Sequence, residues 1–408
     1  MSTRLGKTIL NETHKKLGGN MVDFGGWEMP LWYASGAVKE HLAVLTGAGL
    51  FDTGHMAVIL GEGPDLRGFL NFALSKDISR LKTGRAGYGI VLDDQGFAVD
   101  DAIIYPLSEE RWALVVNAGM SGPVIAHLKK LPGSEKYEWT DLAGRLAKLD
   151  LQGPSSFRIL KPLVAGADQV FEKLPYFSFK GDYDLPSSTV RLTDGTPVLL
   201  SRTGYTGELG FEIFLPIDRA ESVWNRLLET GAERGLIPCG LAARDSLRTG
   251  AVLPLSHQDI GAWPFINNPW PWALPLAGDG SFTKDFKGRA ALSAARATAD
   301  HTLPFVGFDP RKVEASGAKV MLDGREIGTV LTVVADMGLG RVDGRVVGLA
   351  SPDKPEGWNP KGLVCGFVKI REKLEPGTVI YLKDDRRQLK VEIAGDLRPG
   401  RSARSPLK

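Results

Sequence analysis

Cysteine is almost missing from this sequence. Its 408 residues include two, Cys239 and Cys365, far apart and outside any C-x-x-C spacing. That excludes a disulfide framework and fits a reducing compartment. Histidine is nearly as scarce: the six are scattered, with no HExxH or other short ligand pair, so no dedicated metal site is expected. Charge of one sign is missing too. Fifty basic residues against 48 acidic leave a net charge of +2, with no field to attract nucleic acid or an anionic membrane. No run approaches the roughly 18 apolar residues of a spanning helix, and the first residues, "MSTRLGKTILNETHKKLGG", contain no apolar signal core. These absences point to a soluble, cytoplasmic protein without nucleic-acid or membrane partners.

What is present is the composition of a globular enzyme, 43% hydrophobic and 24% charged, at a length that predicts two or three domains. "GAVKEHLAVLTGAGLFD" has helical spacing and stops at a glycine. "MAVILGEG" reads as a strand, and "GPDLRGFLNFAL" as a helix. "GYGIVLDDQGFAVDDAIIYPLSEERWALVVNA" reads as three strands joined by a D-D-Q-G turn and by "SEE". "LAKLDLQGPSSFRILKPL" is a strand followed by a helix, and "IDRAESVWNRLLETGAERG" opens on a capping box, Asp218 with Glu221. From about Pro304 short β-rich runs separated by D-G and G turns predict an all-β barrel or sandwich. The segment between, "AWPFINNPWPWALPLAGDGSFTKDFKGR", has too much proline for a long helix. The expected organisation is α+β, with a first part over 1–145 and a second over 146–290, the two interleaved. A C-terminal barrel follows over 291–400, then a flexible basic tail over 401–408.

"SRTGYTGELGFEIFLP", Ser201 to Pro216, has glycine at 204, 207 and 210. A phosphate loop needs such glycines on a strand-to-helix turn. Here alternation resumes at once, with Phe211, Ile213 and Leu215 on one side and Glu212 and Phe214 on the other, so the stretch reads as a hairpin. Glu212 then lies either at a sheet rim in water or buried with a partner. If buried in a pocket, it suits a ligand offering paired N–H donors, such as the amino-pyrimidinone edge of a pterin. In "AVDDAIIY", Asp100 and Asp101 occupy consecutive strand positions and so face opposite sides. A cleft aspartate there is placed to handle a proton or stabilise a cation.

The ordered motifs "MVDFGGWEMPLWYASGAVKEH", "AGLFDTGHM", "GRAGYGIVLDDQGFAVDDAIIY", "VVNA", "LQGPSS", "SRTGYTGELGFEIF", "GLAARDSLR" and "FKGRAAL", from about Thr8 to Arg289, resemble the glycine-cleavage T-protein (aminomethyltransferase) family. The resemblance implies a three-domain cloverleaf of two interleaved α+β domains and a C-terminal β-barrel around a central tetrahydrofolate cavity. It also implies transfer of a methylene from an aminomethyl-lipoyl carrier protein to tetrahydrofolate, with release of ammonia. By the same resemblance Asp101 is the catalytic carboxylate near the folate N5/N10 edge. Glu212 holds the pterin, and Tyr88, Asn117 and Arg244 line the cavity.

One segment departs from the family pattern. After the "ARDSLR" helix the chain reads "LPLSHQDIGAWPFINNPWPWALPL", which keeps His257 and Asp259 and adds a cluster of aromatics. His257, Trp263, Trp270 and Trp272 are therefore candidates for the mouth where the second substrate enters. Trp263, Phe265, Trp270 and Trp272 either pack the connection or form an aromatic pocket, for instance for a methylated cation. The alternative function is thus a tetrahydrofolate-dependent demethylase of a small N-, S- or O-methylated compound. A folate-binding assembly factor is disfavoured, because "CGLAARDSLRTG" stands where such factors carry "KGCYxGQE".

Overall fold

The computed structural model of the chain describes residues 5–408. Strands Gly87–Leu92, Ala98–Pro106 and Arg111–Val116 form the antiparallel meander that the alternation predicts. Ala57–Glu62 and Glu138–Asp141 extend it to a five-stranded sheet. Helix Leu66–Ala73 covers one face with Leu66, Phe69, Leu70 and Ala73, and helix Ser121–Leu128 adds Val124 and Leu128.

A second, six-stranded sheet runs in the order Phe179–Lys180, Leu199–Ser201, Gly210–Pro216, Leu146–Gln152, Ala48–Asp52, Leu236–Pro238. Its fifth strand comes from the first third of the chain and pairs antiparallel with Leu146–Gln152, so the two α+β parts share a sheet. Trp224, Val223 and Leu227 of helix Ala220–Gly231 pack this sheet against Leu149, Leu151, Phe211 and Ile213. The opposite face meets the first sheet: Phe214 and Leu199 lie in one cluster with Val58, Tyr105 and Val115.

The glycines of the 201–216 hairpin serve packing. A Cβ on Gly204 or Gly210 would fall 2.2 Å or 2.1 Å from the Gln152 side chain, and Gly207 has φ +77°. The capping box does not form. A 3-10 turn, Ile217–Arg219, leads into the helix, and Glu221 instead accepts a hydrogen bond from the Thr13 hydroxyl at 2.9 Å.

Strands His301–Gly307, Leu363–Ile370, Arg325–Asp336, Lys319–Leu322, Val379–Lys383 and Gln388–Ile393 close into a six-stranded barrel, so of the two all-β forms expected it is the barrel. Buried charge clamps it to the rest. Asp336 accepts Arg398 Nη1 at 2.9 Å and lies 2.8 Å from His41 Nε2, while Arg398 also faces Glu208 at 3.4 Å. The terminal residues 401–408 are not a free tail. Ser402 donates its backbone N–H to Glu208 at 3.1 Å, Arg202 binds the carbonyls of Ala403 and Ser405, and Leu407 packs on the core of the second sheet. The tail is basic, yet Glu208 and Arg202 give its polar groups partners that the linear sequence does not show. Among the described residues no helix is long and apolar enough to cross a membrane.

Candidate active site

The two aspartates meet although they are consecutive in a strand. The pairing with Gly87–Leu92 is irregular there: Val91 opposes Asp100 while Leu92 opposes Ala98, leaving Val99 as an extra residue. Such a bulge re-aims the side chains beside it. Both carboxylates converge on Asn117, just past the end of strand Arg111–Val116. Its Nδ2 lies 2.7 Å from Asp100 Oδ1 and 2.6 Å from Asp101 Oδ1, and its backbone N–H donates to Asp100 Oδ2 at 2.9 Å. The Tyr88 hydroxyl donates to Asp101 Oδ2 at 2.7 Å. Asp100 is fully buried and Asp101 half-buried. Burial, with the Asp100 charge alongside, pushes the Asp101 carboxyl up to about 7; burial also raises Asp100. Asp101 is thus poised to exchange a proton near neutrality.

His257 reaches the same cluster. Its Nε2 lies 3.9 Å from Asp100 Oδ1, its ring is half-exposed, and its φ of +64° is one that few non-glycine residues adopt. The aromatics of the connection divide. Trp270 is 0% exposed, stacks on Phe265, meets the barrel residue Phe367 edge-to-face, and donates its Nε1–H to the Val252 carbonyl at 2.9 Å. It does not line an entrance, and neither does Phe265, because both fill the seam between the first sheet and the barrel. Trp272, 43% exposed, lies with its ring centroid 4.9 Å from that of Tyr88. Trp263 is half-buried beneath the Lys369 ammonium, 4.3 Å from its ring.

The second sheet supplies the other half. Glu212 is buried with a partner, 7% exposed. Its Oε1 accepts from Lys148, and its Oε2 from the Thr203 hydroxyl and, at 3.5 Å, from that of Tyr105. Lys148 also donates to Asp150 at 2.6 Å, and Arg244 closes the chain by donating to Asp150 Oδ2 at 2.9 Å. Burial opposes ionisation of Asp150, but Lys148 and Arg244 outweigh it and hold the carboxyl below its ordinary range. The Arg244 guanidinium stacks 4.9 Å from the Tyr205 ring. Burial raises the Tyr205 hydroxyl, on which the charges of Arg248, Asp101 and Arg244 all act, so Tyr205 stands where the two halves meet. Near Arg244 and Lys148, burial pushes His55 down to about 4, and its Nδ1 has no partner.

Tyr88, Asp101, Asn117, Tyr205 and Arg244 are all half-buried, as expected of groups that face a solvent-reached space. A groove of about 900 Å³ lies elsewhere and is lined by Arg158, Lys161, Asp168 and Arg234 among others, none of them in this site. Lys148, Asp150 and Tyr205 belong to the site although their sequence motifs do not single them out. The first two do leave a signal in strand alternation, since "LAKLDLQ" carries a lysine and an aspartate two apart, on one face of an otherwise apolar strand.

The model of the GCVT N-terminal domain matches residues 10–263, more than half of the chain. An aminomethyltransferase of Streptomyces coelicolor is 38% identical over 95% of this chain and 99% of its own length. The chain belongs to the glycine-cleavage T-protein family. The Symbiobacterium thermophilum aminomethyltransferase is also 38% identical, over 81% of this chain and 86% of its own. Among solved structures, the glycine cleavage system aminomethyltransferase T of Bartonella henselae superposes with a TM-score of 0.74 at 28% identity, covering 96% of this chain and 97% of the other. In this T-protein family member the two α+β parts and the barrel therefore have a close structural counterpart along nearly the whole chain.

Proposed function

We propose that this protein is an aminomethyltransferase that moves a one-carbon unit from an aminomethyl-lipoyl carrier protein to tetrahydrofolate and releases ammonia. The observation that carries this reading is Asp101, a carboxyl pushed up to about 7 and held by Tyr88 and Asn117 at the seam of the two sheets. Bound tetrahydrofolate would supply the nucleophilic nitrogen, so the chain needs no Ser, Cys or Lys nucleophile.

The residues fit such a ligand. Glu212 is an ionisable acceptor for the N–H donors of a pterin edge. The unpartnered Nδ1 of His55, buried beside Lys148 and Arg244, shows polar capacity that the protein does not itself satisfy. Asp101 stabilises a developing cationic carbon and holds a proton, while Tyr88 and Asn117 fix its orientation. Arg244 and Tyr205 form a stacked wall beside them. His257 and Trp272 are placed to meet the arriving donor, with Trp263 further out. Burial of Trp270 and Phe265 takes away half of the aromatic cage on which the demethylase alternative rests.

The test is single-turnover transfer to tetrahydrofolate, run in parallel with aminomethyl-loaded lipoyl carrier and with a panel of methylated small molecules. Ammonia and methylene-tetrahydrofolate formed with the carrier alone are expected. Methyl-tetrahydrofolate from a small donor, with the carrier inert, would overturn the proposal.

A further inference from the structure

Glu212, the proposed pterin contact, is not a free carboxylate. An ionised carboxylate has about four acceptor positions. Lys148, Thr203 and the distant Tyr105 hydroxyl occupy three on Glu212, which leaves one strong position open. An ammonium has three donors. Those of Lys148 go to Glu212, to Asp150 Oδ1 at 2.6 Å and to Thr53 Oγ1 at 3.1 Å. Lys148 therefore has nothing left for a ligand, and anything it does for binding it does through its neighbours. Arg244 completes a buried chain of alternating charge, Glu212, Lys148, Asp150 and Arg244, which sums to zero and joins two proposed folate-facing residues.

We propose that Lys148 is a positioning residue for the pterin, fixing the Glu212 carboxylate so that its open acceptor position meets an N–H of the amino-pyrimidinone edge. The inference rests on the reading of tetrahydrofolate as the acceptor. Its physical basis is the cost of an unpaired buried carboxylate, which is relieved by taking up a proton. A protonated Glu212 would turn an O–H toward the ring's own donors and lose the contact. Besides Lys148, the groups around Glu212 are Asp150 on the same strand as Lys148, Tyr105 on strand Ala98–Pro106, Tyr176 and Tyr183 from the segment before Leu199, and Arg244 across Asp150. Among the described residues, Lys148 is the one cation in direct contact with the Glu212 carboxylate.

The experiment is equilibrium binding of tetrahydrofolate under anaerobic conditions, followed by intrinsic tryptophan fluorescence from pH 6 to 9. The proteins are the wild type, Lys148→Met and Lys148→Arg. Wild-type affinity is expected to be flat across this range. Lys148→Met should bind at least tenfold more weakly at pH 6 and regain affinity as pH rises, and Lys148→Arg should restore the flat profile. Because Lys148→Met leaves Asp150 with one cation fewer, the pair Lys148→Met with Asp150→Asn serves if the single variant fails to fold. A folded variant that binds as the wild type does, with the same flat profile, overturns the role of Lys148. A wild type that binds no tetrahydrofolate overturns the functional proposal instead.

Discussion

Tyr88 and Asp101 sit diagonally on adjacent antiparallel strands, Tyr88 opposite Ile103 and Asp101 opposite Ile90, and the phenol of one donates to the carboxylate of the other at 2.7 Å. A diagonal cross-strand pair on one face is within reach of long side chains. The contact orients Asp101 and favours its ionised form, against the burial and the Asp100 charge that raise it. It links the proposed catalytic carboxyl to the proposed entrance as well, because the same Tyr88 ring packs against Trp272.

The Tyr88→Phe enzyme should therefore be weakened without being abolished. One hydrogen bond to a charged group is worth about 1.5–3 kcal/mol, so kcat should fall by one to two orders of magnitude. Loss of the donor also lets the Asp101 carboxyl rise further, moving the acid limb of the rate profile to higher pH. Steady-state rates from pH 5.5 to 9 check both.

Replacing Asp100 acts in the opposite direction. Its negative charge is the second cause, after burial, of the raised Asp101 carboxyl, so Asp100→Asn removes a term that favours protonation. If transfer requires ionised Asp101, wild-type activity rises with pH through about 7. The midpoint in Asp100→Asn should move down by about one unit. Asp101→Ala, by contrast, should lose most turnover, about 10²- to 10⁴-fold, and keep tetrahydrofolate binding. Near-full turnover in that variant would remove Asp101 from the mechanism.

Two tryptophans two residues apart should behave differently. Trp270→Ala opens a hole between the first sheet and the barrel and should cost about 3–5 kcal/mol of stability. Trp272→Ala, at an exposed position, should change stability by no more than about 1 kcal/mol while raising the KM for the donor several-fold. Denaturant unfolding and steady-state kinetics on both proteins separate the roles.

The clamp of the barrel should be sensitive to acid. Burial opposes ionisation of Asp336, but His41 and Arg398 prevail and hold its carboxyl far below the usual range. A carboxyl depressed by folding stabilises the native state above its unfolded value, near 4, and that contribution fades as pH falls toward the folded value. Asp336→Asn should cost about 3–5 kcal/mol at pH 7, the cost of breaking a buried pair, and the gap to wild type should narrow below pH 4. Urea midpoints at pH 7 and pH 3.5 test the sign.

Much of the architecture was legible from one dimension. The 87–116 meander, the 66–73 helix, the hairpin at 199–216 and the β-rich C-terminal third all follow from periodicity and turn residues, which act over a few neighbours. Asp100, Asp101 and Glu212 could be singled out as carboxylates inside apolar strands, and their roles came from motifs in order. The docking of residues 401–408 could not be read this way, since it depends on Glu208 and Arg202, nearly 200 residues earlier.

The amino-acid order by itself determined which segments alternate, where they turn and which acids stand among apolar neighbours, because those properties reside in adjacent residues. Tertiary structure alone decided the rest. It brought both aspartates onto Asn117 through a one-residue bulge, sent Trp270 into the core and left Trp272 at the surface, and paired Glu212 with Lys148, 64 residues away. The reason is electrostatic and steric: the state of a buried charge or a large ring depends on what the fold packs against it, and those partners are distant in the chain.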